Sequence, residues 1–154
     1  MDSLFDFAFA DKDGYIARVL NGSAKSGAST YGKAIAAVDE TIRKYTENYI
    51  NASFYTNHDL ARGAGYYTGE YAECKVKMGQ AMNLLMSGTA FLYYGEEIGM
   101  KGAGKDENKR LGMYWSEDPD TEGMCDGPKD ADSVKMSYDS LDCLLYTSPS
   151  PRDV

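Results

Sequence analysis

Three short stretches of this chain read as strands and the stretches between them read as crossovers, which narrows the fold to one topological class. Leu4-Phe5-Asp6-Phe7-Ala8-Phe9, Ala52-Ser53-Phe54-Tyr55-Thr56 and Thr89-Ala90-Phe91-Leu92-Tyr93-Tyr94 are apolar, aromatic or β-branched runs of strand length. Between the first two, Ile35, Val38, Ile42, Tyr45 and Tyr49 recur at helical spacing, with Lys33, Asp39, Glu40, Arg43 and Lys44 on the other faces. That pattern predicts an amphipathic helix of about four turns. Between the second and third, Cys74, Met78, Ala81, Met82 and Leu85 form one stripe, read as the core-facing side of a second helix filled by pliable sulfur side chains. Asp11 to Thr30, rich in Gly, Ser and Asp, and Gly63 to Tyr71, rich in Gly and Tyr, read as loops. Strand, helix, strand, helix, strand predicts βαβ units and a parallel sheet. The unbroken apolar run at Thr89–Tyr94 predicts a strand covered on both faces.

Composition removes several functional classes. The chain has 154 residues, 43% hydrophobic and 26% charged, the balance of a globular rather than a disordered chain. Sixteen Lys and Arg against 24 Asp and Glu leave a net charge of -8, which argues against nucleic acid or an anionic membrane as the main partner. No apolar run approaches the ~18–20 residues of a membrane span. Met1-Asp2-Ser3-Leu4 carries no basic segment of a signal peptide. Cys74, Cys125 and Cys143 have spacings that fit no metal knuckle, and they read as free thiols.

The chemistry-bearing candidate is Asn57-His58-Asp59, which follows the second strand directly and contains the chain's one histidine. Polar side chains at the C-terminal end of a parallel strand face the side where such sheets place their sites. Asn and Asp also suit a plain turn, because they hydrogen-bond their own backbone. Gly99-Met100-Lys101-Gly102-Ala103-Gly104-Lys105 matches phosphate-loop spacing, but Asp106 follows where Ser or Thr is needed, and it reads as a Gly-rich loop. No amphipathic helix is expected from Asp106, because Gly112 and Pro119 interrupt. Tyr114-Trp115 suits either a sugar-stacking platform or an anchor for the long acidic loop after Lys101.

Two of these segments carry a specific likeness. Phe54-Tyr55-Thr56-Asn57-His58-Asp59-Leu60-Ala61-Arg62 resembles the strand-seven motif of the α-amylase family of glycoside hydrolases, family thirteen. Gly88-Thr89-Ala90-Phe91-Leu92-Tyr93-Tyr94-Gly95-Glu96-Glu97-Ile98-Gly99-Met100 resembles its strand-eight segment, with Ala90 where the family usually has proline. Asp106 to Trp115 is similar to the loop after strand eight, with Leu111-Gly112 where a residue and proline are common, and Leu4 to Phe7 is similar to strand six. The likeness covers residues 1–142. It implies an α/β fold that is an incomplete (β/α)8 TIM barrel, about three of eight β/α units, against the ~250 residues of a whole one.

The resemblance also implies a function: retaining hydrolysis of α-glucosidic bonds in starch-like α-glucans or maltooligosaccharides. Alternatives within the family are an oligo-1,6-glucosidase or a trehalose- or sucrose-handling transglycosylase or isomerase. A non-catalytic binding or transporter-associated member is a further alternative. Asp59 takes the role of the carboxylate that stabilises the transition state, His58 hydrogen-bonds the same sugar, and Arg62 supports the site electrostatically. Retention needs a nucleophile and an acid ~5–5.5 Å apart. In the family these belong to strands four and five, which nothing here resembles, so the chain alone is expected to be inactive. Glu96-Glu97 cannot replace them, because neighbouring residues in extended backbone point to opposite sides. No cofactor is expected. Calcium is common in the family, but no ligand cluster and hence no metal site is identified, and no compartment can be read. Three strands would leave two sheet edges open, which favours association.

Residues 143–154, Cys143-Leu144-Leu145-Tyr146-Thr147-Ser148-Pro149-Ser150-Pro151-Arg152-Asp153-Val154, show no helical or strand period and read as a non-native, adaptor-like tail.

Overall fold

The fold is a computed structural model that describes residues 3–133, 135 and 137–147. Three strands, β1 (Ser3–Asp6), β2 (Ile50–Phe54) and β3 (Thr89–Phe91), form one parallel sheet in the order β1-β2-β3. Helices α1 (Tyr15–Leu20) and α2 (Gly27–Arg43) connect the first two strands. Helices α3 (Gly63–Tyr66) and α4 (Ala72–Leu84) connect the second pair. Each crossover returns the chain beside the strand it has just left, as the alternation of strands and helices predicts.

The central strand β2 is the organiser, and its side chains alternate strictly. Asn51, Ser53 and Tyr55 face the helices: the Asn51 amide donates to the Met86 sulfur, the Ser53 hydroxyl to the Asn83 carbonyl, and the Tyr55 hydroxyl to that of Tyr67 at 2.8 Å. Ala52, Phe54 and Thr56 face the other way, where Phe54 meets Phe5 and Phe7 edge-on at 5.6 and 4.8 Å. Phe9, Ile16, Ala17, Ala34, Val76 and Met86 join Tyr55 and Tyr67 in the core between sheet and helices. Tyr31 ties the two crossovers together by donating to the Met82 carbonyl at 2.9 Å.

Several expectations change. The segment read as a loop from Asp11 to Thr30 contains α1, whose Ile16 and Ala17 are fully buried, and the start of α2. Because α2 ends at Arg43, Tyr45 lies outside it and is exposed. Of the predicted stripe Cys74, Met78, Ala81, Met82 and Leu85, Met82 packs against the core, but the stripe as a whole is not the buried face of α4. The helix buries Val76, Gly79 and Asn83, while Cys74, Met78 and Leu85 are exposed. The cause is Tyr55, whose ring needs the flat surface of Gly79. The apolar run at Thr89–Tyr94 is not covered on both faces either: β3 stops at Phe91 and lies at the sheet edge, leaving Phe91 and Leu92 exposed. It is β2, half polar in sequence, that is buried on both sides.

Beyond β3 the chain is mostly irregular. At Asp106 there is a single helical turn, α5 (Asp106–Lys109), and no longer amphipathic helix. A last helix, α6 (Leu141–Thr147), runs into the segment read as aperiodic. Ser140 explains its start, since its hydroxyl accepts from the Cys143 amide as a helix cap does. Residues 148–154 of the proposed tail lie outside the described residues.

Candidate active site

The site forms at the C-terminal ends of β2 and β3. Beyond Phe54 the chain runs through Thr56 into Asn57-His58-Asp59, and the Asn57 carboxamide accepts from the Asp59 amide at 2.8 Å, the local Asx turn that these residue types favour. The turn reading and the site reading of these residues are therefore compatible. His58 and Asp59 are both open to solvent, with the imidazole Nε2 3.4 Å from one Asp59 oxygen. The other oxygen accepts from Arg110 at 2.8 Å. Beside them lies a cavity of about 210 Å³ whose walls are Phe5, Phe7, Phe54 and Phe91 and whose rim carries Asn57 and His58. Asp59 is not among the residues lining this cavity, whose Phe5, Phe7, Phe54 and Phe91 pack against one another on the sheet face away from the helices.

Arg62 does not reach that cavity. It is fully buried, its guanidinium stacked on the rings of Tyr93 and Tyr94 at 4.6 and 4.7 Å from their centroids, and its Nε donates to the Tyr94 carbonyl at 2.9 Å. The two tyrosines then reach outward. Tyr93 donates to the Lys109 carbonyl and Tyr94 to the Leu111 carbonyl, at 2.8 and 2.6 Å, so their hydroxyls grip the backbone on either side of Arg110. A continuous brace thus runs from buried Arg62 through two tyrosines to Arg110 and on to Asp59. Burial and the neighbouring Tyr94 push the Tyr93 phenol up to about 12, so it keeps its proton for this bond at neutral pH.

Glu96 and Glu97 lie in a turn and not in extended backbone, yet they differ in exposure. Glu97 is exposed, whereas Glu96 is buried, accepting from the Thr56 hydroxyl at 2.6 Å and the Gly63 amide at 3.1 Å. Burial pushes the Glu96 carboxyl above its ordinary value, against the opposing pull of Thr56, Gly63 and Arg62. The two carboxylates do not face one another across a shared space. Lys105 of the Gly-rich loop pairs with Asp132 at 2.7 Å, so its ammonium is already engaged. Trp115 remains partly exposed, at 40%, and does not anchor its loop in the core. Among the described residues no group of three or more His, Cys, Asp or Glu is placed to hold a metal ion. No helix among the described residues is long and apolar enough to cross a membrane.

Arg110, Glu96 and the tyrosine pair are the site residues that sequence reasoning did not assign. Tyr93 and Tyr94 lie inside the strand-eight likeness and Arg110 inside the loop that follows it, so their segments were marked while their roles were not. Arg110 and Asp59 are 51 residues apart, and a pairing at that distance leaves no periodic signal.

The described strands and helices form a run of parallel β/α units with polar and charged residues beyond the strand ends. The chain belongs to the alpha-amylase family: the family model for the alpha-amylase catalytic domain matches residues 1–138. It is similar to the solved structure of Eubacterium rectale Amy13B, with 58% identity and a TM-score of 0.91 over 96% of this chain and 29% of that one. It is also similar to alpha-amylase SusG of Bacteroides thetaiotaomicron, 30% identical over 97% of this chain and 23% of the relative. A 4-alpha-glucanotransferase of Thermotoga neapolitana is 32% identical over 51% of this chain and 18% of the relative. The chain therefore spans less than a third of the proteins it matches, and its three-stranded sheet is an open part of a TIM-barrel fold, not a closed barrel.

Proposed function

We propose that the chain supplies the sugar-holding, transition-state-stabilising side of a retaining α-glucan hydrolase site, with nucleophile and general acid contributed by residues outside these 154. The observation that carries this reading is the exposed Asp59 carboxylate in the turn that follows β2, paired with Arg110 at 2.8 Å and next to His58. Glycosidic cleavage builds positive charge on the sugar ring, and a carboxylate held in place in advance stabilises that charge without reorganising. His58, at the cavity rim, donates a hydrogen bond to the same ring. Arg62 serves from below through Tyr93, Tyr94 and Arg110 and does not touch the sugar. Substrates are α-glucans or maltooligosaccharides.

A second reading, transfer of the glycosyl group to another sugar instead of to water, is favoured by the likeness to a 4-alpha-glucanotransferase. Both readings use Asp59 and His58 in the same way, and they differ only in the acceptor.

Because the chain has one histidine, its imidazole proton signals are resolved without assignment. Maltotriose is expected to shift them, and Asp59→Asn to weaken that response by about tenfold or more, the worth of a charged hydrogen bond. No shift at saturating sugar overturns the sugar-holding role. Incubated with starch, the purified chain is expected to release no reducing sugar above the blank. Turnover above the blank overturns the assignment of nucleophile and acid to other residues.

A further inference from the structure

The segment that carries the candidate site residues starts after Thr56 and ends before Gly63, and one atom holds both ends. Glu96 Oε1 accepts from the Thr56 hydroxyl at 2.6 Å and from the Gly63 amide at 3.1 Å. Thr56 and Glu96 are 40 residues apart in the chain and Gly63 and Glu96 are 33 apart, so this clamp joins the end of β2 to the turn after β3. Glu96 is itself held firmly. Its amide donates to the Tyr93 carbonyl, its carbonyl accepts from Gly99, and Gly95 before it has a φ of 84°, with Met100 where a side chain would stand. Only 2% of Glu96 is exposed, and no sugar reaches it.

We infer that Glu96 is a positioning residue that sets the height and orientation of the 57–62 loop, and so of His58 and Asp59, by closing that loop on a single carboxylate oxygen. Charge is not the operative property. What the loop needs is a buried acceptor at that point, because without it the Gly63 amide and the Thr56 hydroxyl are left unsatisfied in a dry environment. Arg62 approaches the same place, but its backbone amide bonds the Lys101 carbonyl and its side chain bonds the Tyr94 carbonyl, so it does not replace the clamp. The consequence for sugar binding rests on the functional reading above, whereas the consequence for loop order does not.

The test is amide hydrogen exchange of the full chain at micromolar concentration, followed peptide by peptide, for wild type, Glu96→Gln and Glu96→Leu. Gln keeps an acceptor oxygen, and Leu has the volume without it. Glu96→Leu is expected to exchange about tenfold faster across residues 57–63 with α2 unchanged, the cost of orphaned buried donors appearing locally. Glu96→Gln is expected to stay within about twofold of wild type there. Maltotriose added to the same samples should require about tenfold more sugar to shift the His58 signals in Glu96→Leu, and should act on Glu96→Gln as on wild type. Equal exchange in all three chains overturns the positioning role. So does acceleration spread over α2 as well, which marks a general core residue, and so does a Gln variant as loose as the Leu variant. If wild type shows no sugar response while the exchange pattern holds, the functional reading fails and the clamp stands.

Discussion

At the scale of single residues, the candidate site is bordered by buried groups, Arg62 and Glu96, that do not line the cavity. Glu96 has a consequence that can be measured by pH. Burial raises its carboxyl in the native chain above the ordinary glutamate value of 4.5, while Thr56, Gly63, Arg62 and Gln80 pull the other way and buried Tyr66 and Tyr67 lie close by. In the interval between those two values the native state keeps a proton that the unfolded chain has released. Stability therefore falls as pH rises from 4.5 through the elevated native value, and levels off above it. Glu96→Gln is expected to remove that decline, visible as parallel denaturation midpoints across pH where wild type slopes downward. If the two chains decline together, Glu96 is not the group responsible. Much of this was hidden in the sequence. The triplet Asn57-His58-Asp59 stands out because it follows closely on a strand, and the family likeness implies roles for it. Arg62 was legible as a charge in the motif, but its burial between two tyrosines was not, since nothing local distinguishes a stacked guanidinium from a solvated one.

At the scale of elements, α4 shows how one aromatic ring overrides helical patterning. Its apolar stripe would put sulfur side chains inside, yet the face turned to the sheet is Val76, Gly79 and Asn83. A Cβ on Gly79 would stand 2.8 Å from the Tyr55 hydroxyl and 2.9 Å from its ring carbon. That hydroxyl cannot swing away, because it bonds Tyr67 and the ring is closed in by Gly63. Replacing an exposed helical glycine by alanine gains about 0.8–1 kcal/mol. Here overpacking, typically about 1–3 kcal/mol, opposes that gain and wins. Gly79→Ala is therefore expected to lower the urea midpoint, whereas propensity alone predicts a rise. The direction of the change decides between them. Periodicity found the helix but not its buried face, because the deciding contact comes from β2, more than twenty residues earlier.

For the whole molecule, the parallel β/α order was readable from alternation, and the barrel to which it belongs from two motifs. The degree of exposure was not, since a run such as Thr89–Tyr94 looks the same whether or not a neighbour covers it. In this chain β1 and β3 are both edges, and Leu4, Phe5, Phe7, Phe91 and Leu92 are exposed on or next to them. Open edges bearing apolar side chains template further pairing. Sedimentation is expected to show association that rises with concentration, and the paired change Phe5→Lys and Phe91→Lys to shift the distribution toward monomer. A monomer at every concentration in wild type would contradict this.

The strand order carries one more implication. Because β2 lies between the strands immediately before and after it in the chain, β2 and β3 each find a pairing partner already synthesised when they leave the ribosome. Such a sheet grows by addition at one side, and a boundary drawn between two units severs a single ladder of hydrogen bonds. The Asp59–Arg110 pair and the tyrosines that grip the backbone beside Arg110 lie within the segment from β2 onward, so they stay together on one side of a boundary drawn between β1 and β2.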